Sequence, residues 1–126
     1  MEEYKISIEK EIKITQEDID DIMCSALEGG INYWCCKAEV VDKYLGEWAH
    51  EQISRGGTLK LYDAEEDEIY ELTLEKFLSG IQKAIEGNYY SEYEWCDGFI
   101  IDTCQVDAEV ADTIVQLALF DEVVFG

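Results

Sequence analysis

From Tyr4 to Ile14 apolar residues fall on alternate positions (Tyr4, Ile6, Ile8, Ile12, Ile14), with Lys5, Ser7, Glu9, Glu11 and Lys13 on the other face and Lys10 as the lone inner exception. That is the period of a half-buried strand. At Thr15 the period changes. Its hydroxyl can cap a helix, and Glu17, Asp18, Asp20 and Asp21 put negative charge where first-turn N–H groups favour it. Ile19, Ile22, Met23, Ala26 and Leu27 then recur at helical spacing, which predicts one core-facing stripe. Gly29 and Gly30 are placed to end this helix in the left-handed conformation that glycine accepts.

Ile31 to Cys36 reads equally as the start of a strand or an extension of the helix, and Ala38 to Asp42 as a short strand. Leu45, Trp48, Ala49 and Ile53 predict a second helix ending at Gly56-Gly57. Thr58–Tyr62 and Ile69–Thr73 are β-like runs joined by Asp63-Ala64-Glu65-Glu66-Asp67-Glu68, the layout of a hairpin with a longer loop. Thr73 caps a third helix with the stripe Leu74, Phe77, Leu78, Ile81 and Ile85, stopped by Gly87-Asn88. Tyr89 to Gly98 has no period and reads as a loop, and Phe99 to Ile101 as a short strand. Asp107 opens a last helix to about Phe120, apolar around most of its girth except for one narrow face of Glu109, Asp112, Thr113 and Gln116. It is expected to be the most buried helix, with residues 122–126 as a terminal strand. The pattern predicts one α+β domain over residues 1–126. Residues 4–14 and the 58–73 hairpin lead an antiparallel sheet, and amphipathic helices pack mainly on one face.

Composition agrees with a single unit. The chain has 126 residues, 48% of them hydrophobic, and no proline, repeat or linker-like stretch. No apolar run approaches a membrane span, and the first residues lack the basic and apolar regions of a secretory signal, so a cytoplasmic protein is expected. Five irregularly spaced cysteines fit reduced thiols better than a disulfide framework.

Charge alters the picture most. With 30 acidic and 9 basic residues the net charge is −21, and the chain beyond residue 13 holds 26 of the acids and 6 of the bases. Direct nucleic-acid binding needs a basic track, and only Lys37, Lys43, Arg55, Lys60, Lys76 and Lys83 are available there. An acidic surface is drawn instead to a basic protein surface, and can imitate a phosphate backbone. High acidity that merely aids solubility is the plainer account. The candidate partner-binding carboxylates are Asp63, Glu65, Glu66, Asp67 and Glu68 in the hairpin loop and Glu92, Glu94 and Asp97 in the aromatic loop.

Other chemistry is thinly supported. The cysteines form no CxxC knuckle and His50, expected on the surface, is the lone imidazole, so neither a zinc site nor a Cys–His nucleophile is indicated. Asp63, Glu65 and Asp67 alternate like calcium ligands, but Glu68 stands where the tight turn needs glycine and Leu74 where the bidentate glutamate belongs. No metal and no cofactor is expected. The doublets at 29–30 and 56–57 lack a phosphate-loop context. Among the aromatics, Trp34 and Trp48 are expected in the core, whereas the run from Tyr89 to Trp95 suits a protein interface or a stacking pocket.

The stretches ALEGGINYWCCKAEVV, YLGEWAHEQISRGGTLKLYDAE, ELTLEKF and DAEVADTIVQLALFDEVVFG resemble a family of small proteins encoded by bacteriophages and prophages, notably of gut Firmicutes. The resemblance spans nearly the whole chain. Its sharpest marks are Glu28-Gly29-Gly30 with Asn32-Tyr33-Trp34, and the ending LFDEVVFG, in which Asp121 stands where the family has glycine. It implies a phage gene expressed in the bacterial cytoplasm, where acidic proteins antagonise host defences in the manner of anti-CRISPRs, and it implies no catalytic residues. The expected function is therefore a non-enzymatic inhibitor of a host nucleic-acid-handling or immune factor, bound through its acidic surface. One alternative is a sponge for a nucleotide immune signal, using Asn32, Tyr33, Trp34 and a nearby Lys or Arg. A second is an enzyme with Cys, His and carboxylates in one cleft. A homo-oligomer is compatible with either binding reading.

Overall fold

The computed structural model describes residues 13–86 and 106–126, together with the backbone of residues 96–97 and 100–101. The strand expected over residues 4–14 falls almost wholly outside this set, as does most of the run 89–98. Within it the fold is α+β: three helices and a three-stranded antiparallel sheet.

Thr15 caps the first helix, α1 (Gln16–Ser25), through a reciprocal box. Its Oγ1 accepts the Asp18 N–H at 3.1 Å, and Asp18 Oδ2 accepts the Thr15 N–H at 2.9 Å. Ile19, Ile22 and Met23 turn inward. The helix does not stop at a left-handed glycine. It widens into a π-helical turn, Ala26–Gly30, and neither glycine has a positive φ. Gly30 is required for another reason: a Cβ there would lie 2.5 Å from the carbonyl oxygen of Ala108. Residues 31–34 form a turn, and β1 (Cys35–Val40) follows, three residues ahead of the expected start.

β1 pairs with β2 (Leu59–Asp63) across an irregularity between Cys35 and Lys37, and β2 pairs with β3 (Ile69–Leu72), giving the order β1-β2-β3. Leu59, Leu61 and Leu72 are fully buried, so the expected hairpin supplies the core side of the sheet. A separate two-stranded ribbon joins β4 (Cys96–Asp97) to β5 (Ile100–Ile101).

The second predicted helix is not formed. Residues 41–58 contain one 3₁₀ turn, Ala49–Glu51, among bends, with His50 half-buried on that turn. Side chains have taken over the backbone groups that a helix would use. Buried Gln52 accepts the Leu45 N–H at 3.0 Å and donates to the Lys43 carbonyl at 3.3 Å, while Glu51 Oε1 accepts from Glu47 and Trp48 at 2.8 and 2.9 Å. Of the expected stripe only Ile53 is fully buried; Leu45 and Trp48 are exposed.

α2 (Leu74–Glu86) begins where Thr73 Oγ1 accepts the Lys76 N–H at 3.3 Å. It buries Phe77, Gly80, Ile81 and Ala84, which leaves Leu78 partly exposed. The stripe is rotated because the backbone at Gly80 packs against α3 (Ala108–Phe120): a Cβ there would meet Ile114 O at 2.5 Å and Ala118 at 2.9 Å. Asp107 Oδ1 caps α3 by accepting the Val110 N–H at 2.9 Å. Every residue from Val110 to Ala118 is buried, so the expected polar face of this helix lies inside the protein. Asp121 ends it with φ 62°, a left-handed conformation that explains why glycine suits this position. Residues 122–126 form no strand; they fold back over the helix. No described helix is long and apolar enough to cross a membrane.

The β2–β3 turn is set by one carboxylate. Asp63 Oδ1 accepts the N–H groups of Glu65 and Glu66 at 2.9 and 3.1 Å, and Oδ2 accepts the Tyr70 hydroxyl at 2.9 Å. These N–H donors hold the Asp63 carboxyl below its usual range. Desolvation first, then the hydrogen bond and charge of Asp63, push the Tyr70 phenol up to about 12. A raised folded value means that Tyr70 contributes stability in full below pH ~10 and loses it as pH rises through about 12. In a spectroscopic titration of the phenolates, Tyr70 is expected to ionise at about 12, and Asp63→Asn is expected to lower that value. An Asp63→Asn protein with an unchanged titration would contradict this pairing.

Candidate functional site

The polar residues of α3 gather what the sequence leaves apart. Asp112 is 8% exposed and Gln116 not at all. Asp112 Oδ1 accepts the Trp34 indole N–H at 2.8 Å and a Gln116 amide proton at 2.9 Å, while Oδ2 accepts the Tyr33 hydroxyl at 2.6 Å. All three donors are neutral. A buried carboxylate held this way needs every donor, because each one lost leaves charge unsolvated.

Gln116 then fastens the tail. Its Oε1 accepts the N–H groups of Val124 and Phe125, both at 2.8 Å, and its Nε2 lies 3.1 Å from both the Phe125 carbonyl and the Tyr33 hydroxyl. The side-chain amide thus pairs with the tail as a neighbouring strand would. Phe125 in turn stacks on Trp34, with ring centroids 4.9 Å apart and planes within 5°. Tyr70 and Phe120 meet the same indole edge-on at 6.3 and 6.1 Å.

Beside this cluster lies a cleft of about 490 Å³. Gly29, Gly30 and Tyr33 form one wall, Ala108, Glu109, Asp112 and Thr113 of α3 the floor, and Val123, Phe125 and Gly126 of the tail the other wall. The two motifs singled out by sequence, residues 28–34 and the chain's last residues, therefore meet at one place. Among the described residues the lining contains two side-chain carboxylates, a phenol and no lysine or arginine, so it suits a cationic or hydrogen-bond-donating group better than a phosphate. Among the described residues no cluster of three His, Cys, Asp or Glu side chains is placed to hold a metal ion.

The expected ligand residues separate. Tyr33, 55% exposed, lines the cleft; Trp34, 2% exposed, lies beneath it as an anchor; Asn32 is exposed and outside the lining. Of the expected partner-binding acids, Asp63 is half-buried and occupied within its own turn, and Glu65, Glu66, Asp67 and Glu68 are exposed at the hairpin tip. Glu92 and Glu94 lie outside the described residues, and only the backbone of Asp97 is described, in β4. Cys24, Cys35 and Cys36 are free thiols, and burial pushes the Cys35 thiol up, away from nucleophilic use. Sequence reasoning missed Asp112, Gln116 and Phe125 as members of the site. The signal was available in the i, i+4 spacing of Asp112 and Gln116 on an otherwise apolar helix.

Compared with known proteins, the chain matches no family model, no curated protein and no solved structure.

Gln116→Ala removes a donor to Asp112 and both acceptor bonds to the tail, and leaves a cavity. It is expected to cost about 2–4 kcal/mol in urea unfolding and to release the Val124 and Phe125 amides to fast hydrogen exchange. Retained protection of those two amides would show that the tail is held by other contacts.

Proposed function

We propose that this chain is a non-enzymatic, phage-encoded protein that works in the bacterial cytoplasm by binding and inhibiting a host nucleic-acid-handling or immune factor. The bound region of that factor is a basic surface that ordinarily meets nucleic acid. The observation that carries the reading is the hairpin tip. Asp63 fixes the turn, and Glu65, Glu66, Asp67 and Glu68 project from it as four successive exposed carboxylates, none paired with a lysine or arginine among the described residues. A rigid row of negative charge on a chain of net charge −21 favours fast, salt-sensitive capture of a cationic surface. The resemblance to phage proteins supplies the setting.

The nucleotide-sponge alternative draws on Tyr33, which offers an exposed ring at a cleft of suitable size. It needs a cation for the phosphate, and the lining holds Glu109 and Asp112 instead. The acidic-binder reading is therefore preferred.

The test is capture from host lysate at low salt and at about 1 M salt, where the screening length falls to roughly 3 Å. A basic protein retained at low salt and lost at high salt is expected. The variant Glu65→Gln/Glu66→Gln/Asp67→Asn/Glu68→Gln is expected to weaken its binding roughly tenfold. Binding indifferent to salt, or no effect on any host nuclease, would count against the proposal, and a nucleotide released on heating would favour the sponge.

A further inference from the structure

Tyr44, Leu45 and Trp48 are 58%, 44% and 60% exposed and sit within five residues of one another on the loop between β1 and β2. Exposed aromatic and apolar side chains gathered in one short loop are, on a soluble protein, often functional. The loop is not slack. Gln52, buried beneath it, bonds to the backbone of Lys43 and Leu45; Glu51 holds the N–H groups of Glu47 and Trp48. Arg55 ties Glu51 to Asp20 of α1, with both contacts at 3.5 Å. The backbone that presents the rings is therefore ordered before any partner arrives, which removes part of the entropic cost of binding.

Charge selects the occupant. The patch is flanked by the exposed carboxylates of Asp42 and Glu47, with Lys43 the one cation of the stretch 42–48. A second copy would bring −21 against −21, and nucleic acid would be repelled likewise. A guanidinium fits both features, since its flat face stacks on an indole or phenol ring while its N–H groups pair with a neighbouring carboxylate. We propose that the Tyr44–Leu45–Trp48 loop is the apolar anchor by which this protein holds an arginine-bearing surface of a basic partner protein. The proposal rests on the acidic-binder reading and divides its labour: the hairpin tip accelerates encounter, and this loop sets residence time.

The experiment places a benzophenone amino acid at position 48 of the full chain, or at position 66 in the hairpin tip, for photo-crosslinking in the bacterial host. Circular dichroism of Trp48→Ala checks that the fold is kept. Support requires that both positions capture the same basic protein. It also requires that Trp48→Ala raise the Kd for that protein about 30-fold, mainly through faster dissociation, while the neutralised tip mainly slows association. Adducts at 66 alone would overturn the anchor and leave the acidic-binder reading standing. Adducts at 48 with a second copy or with an acidic protein would overturn the stated occupant. Adducts at neither position would remove both readings, as would a Trp48→Ala protein of unchanged affinity remove the anchor.

Discussion

The carboxylate of Asp112, buried among three neutral donors, is the constraint on which the rest of the structure depends. Removing a charge from water is tolerable only where hydrogen bonds replace the lost solvation. Here the replacements come from Tyr33 and Trp34, far away in sequence, and from Gln116 one turn along the same helix. Satisfying Asp112 therefore fixes how the turn after α1 docks on α3. Gln116, pinned by the same bond, fixes the tail, and the tail places Phe125 on the indole. A core built only of leucine and isoleucine could have filled the space without specifying this register.

The same chemistry sorts the chain's acids into two groups. Asp18, Asp63, Glu51 and Asp107 accept backbone N–H bonds and define a helix start, a hairpin turn, a loop and a second helix start. Glu51, like Asp63, is held below its usual range, chiefly by the N–H groups of Trp48 and Glu47. The tip acids Glu65 to Glu68 have no such duty and face water. Among the described residues the acids thus differ in duty: some set turns and helix starts, whereas those of the hairpin tip face water.

Much of the fold was legible because local chemistry and tertiary packing agree there. Thr15, Thr73 and Asp107 cap helices where the sequence places caps, and the 58–73 hairpin follows its alternation. The failures occur where a side chain competes with the backbone or where burial reverses polarity. Gln52 and Glu51 dissolve the helix that the spacing of Leu45, Trp48 and Ile53 predicts, and so turn Trp48 from an expected core residue into a surface one. Asp112 and Gln116 read as the solvent face of α3 because a pattern of polarity cannot reveal that Trp34 and the tail will cover them. Within the stretch from Gly29 to Trp34 the roles divide: Gly30 permits close approach to α3, Trp34 anchors in the core, and Tyr33 lines the cleft beside Gly29 and Gly30.

Hydrogen exchange of the indole N–H protons, assigned by NMR with Trp34→Phe and Trp48→Phe proteins, tests the account most directly. With its N–H held by Asp112 in the core, Trp34 should exchange only through global unfolding, whereas the Trp48 indole should exchange at the rate of an exposed side chain. A Trp34 indole that exchanges as fast as that of Trp48 would mean that the Asp112 cluster does not hold the structure together.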